Sequence, residues 1–155
     1  MSSFMSTLMS SLLTTGAELA TALVADLNAT AFSLPFTAVR AYLPRFDLGE
    51  MENLHVTVVV AGRTLQPASR TLLQVDYRID IAVQQRLAGD DVTACDPLLH
   101  LVAEIADHLA GHRLSTVPTA TWIRTEHDPL VDATHLNEWR QFTSLLSVTY
   151  RTWEP

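Results

Sequence analysis

Residues 74–84, Gln-Val-Asp-Tyr-Arg-Ile-Asp-Ile-Ala-Val-Gln, decide the fold. Val75, Tyr77, Ile79, Ile81 and Val83 alternate with Gln74, Asp76, Arg78, Asp80 and Gln84. Successive side chains of a strand point to opposite faces, so this period of two, charged on one face, predicts a strand packed on one side and wet on the other. Upstream, the β-branched run at residues 54–61 predicts a strand buried on both faces. Between them, residues 62–70 hold Pro67 and two arginines and predict a loop too long for a tight hairpin. Residues 36–42, entered from Pro35 and stopped by Pro44, predict an earlier strand. Residues 119–125 around Trp122 predict a later one. Phe142, Ser144, Leu146, Val148 and Tyr150 then alternate with Thr143, Leu145, Ser147, Thr149 and Arg151 as a closing strand.

Helical spacing flanks this set. Leu19, Ala20, Leu23, Val24 and Leu27 share an arc, with Glu18, Ala22 and Asp26 placed opposite and Thr14 or Thr15 as N-cap. A second helix is expected to start with Asp96 as cap and Pro97 at its first position. Leu98, Leu101, Val102, Ile105 and Leu109 form its buried stripe, and Gly111 stops it. A short helix capped by Asp132 is expected over residues 132–139. The order α-β-β-β-α-β-(short α)-β groups strands in runs. It therefore predicts an α+β domain with a mainly antiparallel sheet of about five strands packed with two main helices. Residues 15–155 form the domain, and residues 1–14 an N-terminal arm or helix extension. The polar faces of the third and last strands predict a sheet covered on one side only, leaving surface for oligomerisation to cover.

At 155 residues, 48% apolar and 17% charged, the chain has the composition of one globular domain. Its one cysteine, Cys95, excludes an internal disulfide and fits a reducing compartment. No run approaches the roughly 20 apolar residues of a membrane span, and the uncharged start is expected to be a poor secretory signal. All ten basic residues are arginines, and the net charge is −7. That balance disfavours phosphate binding as the main source of affinity. The charge is uneven. Residues 90–112 carry Asp90, Asp91, Asp96, Glu104 and Asp107 with no arginine, whereas residues 63–86 carry four arginines against Asp76 and Asp80.

The residues that offer chemistry read more simply as structure. His100, Glu104, His108 and His112 recur every four residues, and histidines so spaced on a helix can share a metal. The His-Glu-x-x-His order is absent and the four positions drift around the helix. A solvated helix face is therefore expected, with no metal. Cys95, placed just before the helix, lacks a base and has Asp96 beside it. No Gly-x-Ser-x-Gly elbow or phosphate-binding glycine loop is present. Glu126-His127-Asp128-Pro129 reads as a strand end and turn. Trp122, Trp139 and Trp153 read as packing residues, with Trp153 at an intersubunit contact. No catalytic residue, cofactor or enzyme activity is expected.

The run Ala41-Tyr42-Leu43-Pro44-Arg45-Phe46-Asp47-Leu48 and the apolar strand after Leu54 resemble small neck proteins of long-tailed phages and prophages, the tail terminators. Glu126-His127-Asp128-Pro129 and Arg140-Gln141-Phe142-Thr143-Ser144, running into Val148-Thr149-Tyr150-Arg151, add to that resemblance, which covers residues 16–153. It implies a homo-hexameric ring, made in the host cytoplasm and carried in the virion, that caps the tail tube and docks to the head-completion or stopper protein. A stopper protein itself is the nearest alternative, and a small metal-dependent hydrolase the more distant one. Arg45 and Asp47 in one loop, Arg63 and Arg70 in another, and Trp153 are the candidate partner contacts. DNA passes such a ring without specific binding, so Asp90, Asp91, Asp96 and Asp107 are the candidate acids of its bore.

Overall fold

The computed structural model describes residues 15–43 and 52–155. The expectations for the N-terminal arm and for Arg45 and Asp47 lie outside the described residues. Helix α1 spans Gly16–Ala29, and the Thr15 hydroxyl oxygen accepts from the Glu18 N–H at 3.2 Å, occupying a donor that the first helical turn leaves unpaired. Leu19, Ala20, Leu23 and Leu27 are buried as the spacing predicts. Two residues placed opposite them are corrected. Ala22 is buried and Asp26 is mostly covered. At about 100° per residue, Asp26 lies seven positions and so only about 20° from Leu19 around the axis.

Strands β1 (Ala38–Ala41), β2 (His55–Pro67), β3 (Leu73–Arg86), β4 (Thr121–Glu126) and β5 (Gln141–Glu154) form one sheet in the order β1-β2-β3-β5-β4. Only β1 and β2 are parallel; the other pairs are antiparallel. The α+β class and the predicted order of elements therefore hold. The expected loop at residues 62–70 is corrected, because β2 continues to Pro67 and Arg63 lies in a strand. A register shift between Val60 and Gly62 takes up Ala61, after which Arg63 pairs with Tyr77 and Leu65 with Val75. The connecting turn is tight: the Ala68 and Ser69 N–H groups donate to the Leu72 carbonyl, and the Ser69 hydroxyl accepts from Thr71 and Leu72. This end of the hairpin is exposed on β2, so no apolar alternation marks it as strand. A second shift, between Trp122 and Arg124, interrupts the outer strand β4.

Helix α2 spans Asp91–Leu109. Asp90 is its N-cap, accepting from the Thr93 N–H at 3.3 Å, and Gly89 (φ +89°) turns the chain into it. The expected start at Asp96 and Pro97 is thus corrected: Pro97 lies inside the helix. Proline lacks the N–H that would bond four residues back, but Thr93 and Pro97 are both exposed, so the missing bond falls on the solvent side. Helix α3, Ala133–Trp139, has Asp132 as its cap, accepting from the His135 N–H at 3.0 Å. Arg140 ends α3 in the left-handed region (φ +52°). Its guanidinium pairs with Asp91 and donates to the Gly89 carbonyl at 2.6 Å, while its own carbonyl accepts from Leu87 N–H at 2.7 Å. One residue thereby ties the start of β5 to the start of α2.

Helices α1 and α2 cover one sheet face. Val56 and Val58 of β2, Val75, Tyr77, Ile79, Ile81 and Val83 of β3, and Phe142, Leu146, Val148 and Tyr150 of β5 are buried beneath them with the predicted stripe of α2. The opposite face is open at one end only, which corrects the expectation of one-sided cover. At the other end α3 and the turn before it lie over Ala82, Gln84, Thr143 and Leu145. His135 Nδ1 is 2.7 Å from the Thr143 hydroxyl, and Ala82 and Gln84 are buried. The open end is charged: Asp76 binds Arg151 through two contacts of 2.8 and 3.1 Å, Ser147 donates to Asp80, and Arg124 pairs with Glu126.

The cap placement makes opposite demands on two acids of one helix. Asp90→Ala should lower unfolding stability by about 1 kcal/mol, whereas Asp96→Ala should stay within about 0.5 kcal/mol of the parent, both measured by urea titration. Equal losses would restore the later helix start. The buried Tyr150 hydroxyl has no hydrogen-bond partner among the described residues. Tyr150→Phe should accordingly be neutral or stabilising by up to about 1 kcal/mol, and a clear loss in the same titration would reveal a partner.

Candidate functional site

The four residues spaced by four on α2 divide into two environments. His100 is exposed and stands 3.7 Å from Glu104, whose carboxylate accepts from the Ser33 N–H and hydroxyl. The solvated-face expectation fits His100. It is corrected for His108 and His112, which are mostly covered and turn towards α1. His108 Nε2 lies 2.7 Å from Asp26 Oδ2, and His112 Nε2 lies 2.8 Å from Asp26 Oδ1. One carboxylate thus engages two imidazoles, one on each oxygen.

Local structure explains the convergence. Asp26 and His108 occupy the last turns of α1 and α2. His112 is beyond the helix, where the chain reverses at Gly111 (φ +69°) and the His112 N–H bonds to the Leu109 carbonyl. That reversal lays the His112 ring 4.5 Å from the His108 ring, centroid to centroid. Phe32 packs edge-on against His108 at 5.7 Å. Thr30, the C-cap of α1, donates its hydroxyl proton to the Asp26 carbonyl at 2.8 Å and presents the same oxygen to His108 Nε2 at 3.4 Å. Two helix C-termini, each the negative end of its dipole, meet at this point beside a carboxylate. Below it, burial first and the Asp26 charge second push the Tyr150 hydroxyl pKa well up, so Tyr150 stays protonated.

The remaining candidates separate by position. Cys95 lies within α2, not before it; burial and then the Asp91 and Asp96 charges push its thiol pKa up, which disfavours the thiolate. Asp90 is spent on its cap, and Asp91 is paired with Arg140, so the acidic run does have an arginine from elsewhere in the chain. Asp96 and Asp107 are exposed on α2. Arg70 sits in the β2–β3 turn, and Arg63 lies opposite Tyr77 in the β2–β3 register near the same end of the sheet. Trp153 pairs with Gln74 at that end too, where Leu65, Leu72 and Leu73 are also exposed. The fold therefore gathers Arg63, Arg70 and Trp153 at one end of the sheet.

The chain matches no protein-family model, and no curated protein sequence matches it. No helix among the described residues is long and apolar enough to cross a membrane.

The Asp26–His108 bond can be isolated by a double-mutant cycle in buffer containing EDTA. Asp26→Ala and His108→Ala should each cost about 1 kcal/mol in urea unfolding. The double variant should cost at least about 0.5 kcal/mol less than their sum. Additive losses would mean that the two side chains do not interact.

Proposed function

We propose that this protein is a structural ring protein of a phage tail or neck, a tail terminator that caps the tail tube and joins it to the head. The observation that carries the reading is the end of the sheet where exposed apolar residues stand on both faces, Leu65 and Leu73 on the helix side and Trp153 on the open side, with Leu72 and Arg70 in the turn between β2 and β3. A sheet end with exposed apolar side chains beside charge suits a protein–protein contact that clasps it. Repeating one such contact around an axis closes a ring. The number six comes from the resemblance to tail terminators, as do the tube and the head-completion protein as neighbours. A stopper protein would use the same surface against the portal side, and crosslinking to the tube or to the portal separates the two.

In such a ring the bore carries DNA and favours acids, because like charge within about 8 Å at physiological salt still repels phosphate. Asp96 and Asp107 are the acids of α2 free to serve there. Asp90 and Asp91 remain in the proposed set, although each also holds the fold through its cap or ion pair.

Native mass spectrometry with and without purified tail tubes should find a closed oligomer, alone or on the tube ends. A protein that stays monomeric and ignores tubes would overturn the reading. Trp153→Ala with Arg70→Glu should abolish ring formation or tube binding while circular dichroism melts hold. Asp96→Lys with Asp107→Lys should leave the ring intact and slow DNA ejection, and unchanged ejection would remove these acids from the bore.

A further inference from the structure

We infer that Asp26, His108 and His112 form a binding site for a divalent transition-metal ion of the zinc class, which braces the C-terminal end of α1 against that of α2. The donor set is the first ground. Two imidazole nitrogens and one carboxylate oxygen suit zinc in both charge and softness, and all three ligand atoms lie within 4.8 Å of one another. Ligand atoms about 2.0–2.2 Å from a tetrahedral zinc stand roughly 3.3 Å apart. His108 and His112 reach different Asp26 oxygens, at 2.7 and 2.8 Å, so a zinc held through one oxygen opens that contact by about half an ångström while the other imidazole turns towards the same oxygen.

The surroundings give a second, independent ground. The Thr30 proton is committed to the Asp26 carbonyl, so the Thr30 oxygen offers only lone pairs towards His108. With the Asp26 carboxylate and the two helix ends, the point is ringed by electron-rich groups that favour a cation. The rings are pre-aligned, one by its helix and the other by the left-handed turn at Gly111, while Phe32 packs against one side. The three ligand side chains keep 19–33% of their surface, enough to admit an ion and a water as fourth ligand.

The test uses the full chain without a histidine tag, stripped with EDTA and titrated with Zn²⁺ by calorimetry, alongside His108→Gln/His112→Gln. The parent should bind one equivalent that the double variant does not. At a hundredfold excess over Kd, the parent melting temperature should rise by roughly 5–10 °C, with no rise in the variant. Co²⁺ should give the parent the visible absorption of a tetrahedral complex. If the double variant does not fold, His112→Gln alone, outside the helix, replaces it and should weaken Zn²⁺ binding at least tenfold. Zinc binding equal in parent and variant, or a parent that binds none, would overturn the site.

Discussion

Strand β3 is the constraint on which the rest of this molecule depends. It is hydrogen-bonded along its length to β2 on one side and β5 on the other, so its backbone groups are satisfied within the sheet. Its side chains must then sort strictly by face. Val75, Tyr77, Ile79, Ile81 and Val83 all go one way, and a slip of one residue would turn every one of them to the opposite face, away from α1 and α2. The helices are placed by the need to cover that row. Once α1 and α2 lie on it, their C-terminal turns come side by side, and Asp26 meets His108 and His112. The candidate site is in this sense a product of sheet register, reached through two helices.

Much of the architecture was legible because the relevant signals are local. Alternation in β3 and β5, the arc of α1 and the Asp132 cap of α3 each need only a short window of sequence. The misreadings share a different character. The end of β2 is strand without a packed face, so hydrophobic period carries no information there and Pro67 suggested a loop. The start of α2 was misplaced because Asp96-Pro97 imitates a cap and first position, while the operative cap, Asp90, is recognisable by the Gly89 turn before it. Parallel pairing of β1 with β2 leaves no trace in either strand. At the site, the histidine spacing was visible. Its partner was not, since Asp26 precedes His108 by 82 positions and His112 by 86. Arg140 is similar: only the fold brings it to Asp91.

Charge is handled in two ways that net composition hides. On the open sheet face, Asp76 with Arg151, Arg124 with Glu126 and Ser147 with Asp80 set opposite or complementary groups across and along strands, so the surface is charged yet internally matched. Exposed pairs such as Arg124 with Glu126 contribute little to stability. They leave a surface whose preference for a neighbour is set by geometry more than by attraction. The outer side of α2 carries Asp96 and Asp107, which have no ion-pair partner among the described residues and add to the long-range field of a chain with net charge −7.

The interruption in β4 has a bearing on how copies of this chain can meet. An outermost strand with free backbone groups invites another strand to join it, and sheets that join in this way grow without limit. Here the register shift between Trp122 and Arg124 bends that edge, and arginine stands on it. The opposite edge, β1, is only four residues long. The bent β4 edge therefore discourages lateral sheet extension on its side, whereas beyond β1 the opposite margin is the last part of β2, which among the described residues pairs with β3 alone. Contacts through side chains at the ends and faces of the sheet, by contrast, have a definite angle. A definite angle is what separates an assembly that closes on itself from one that becomes a fibre.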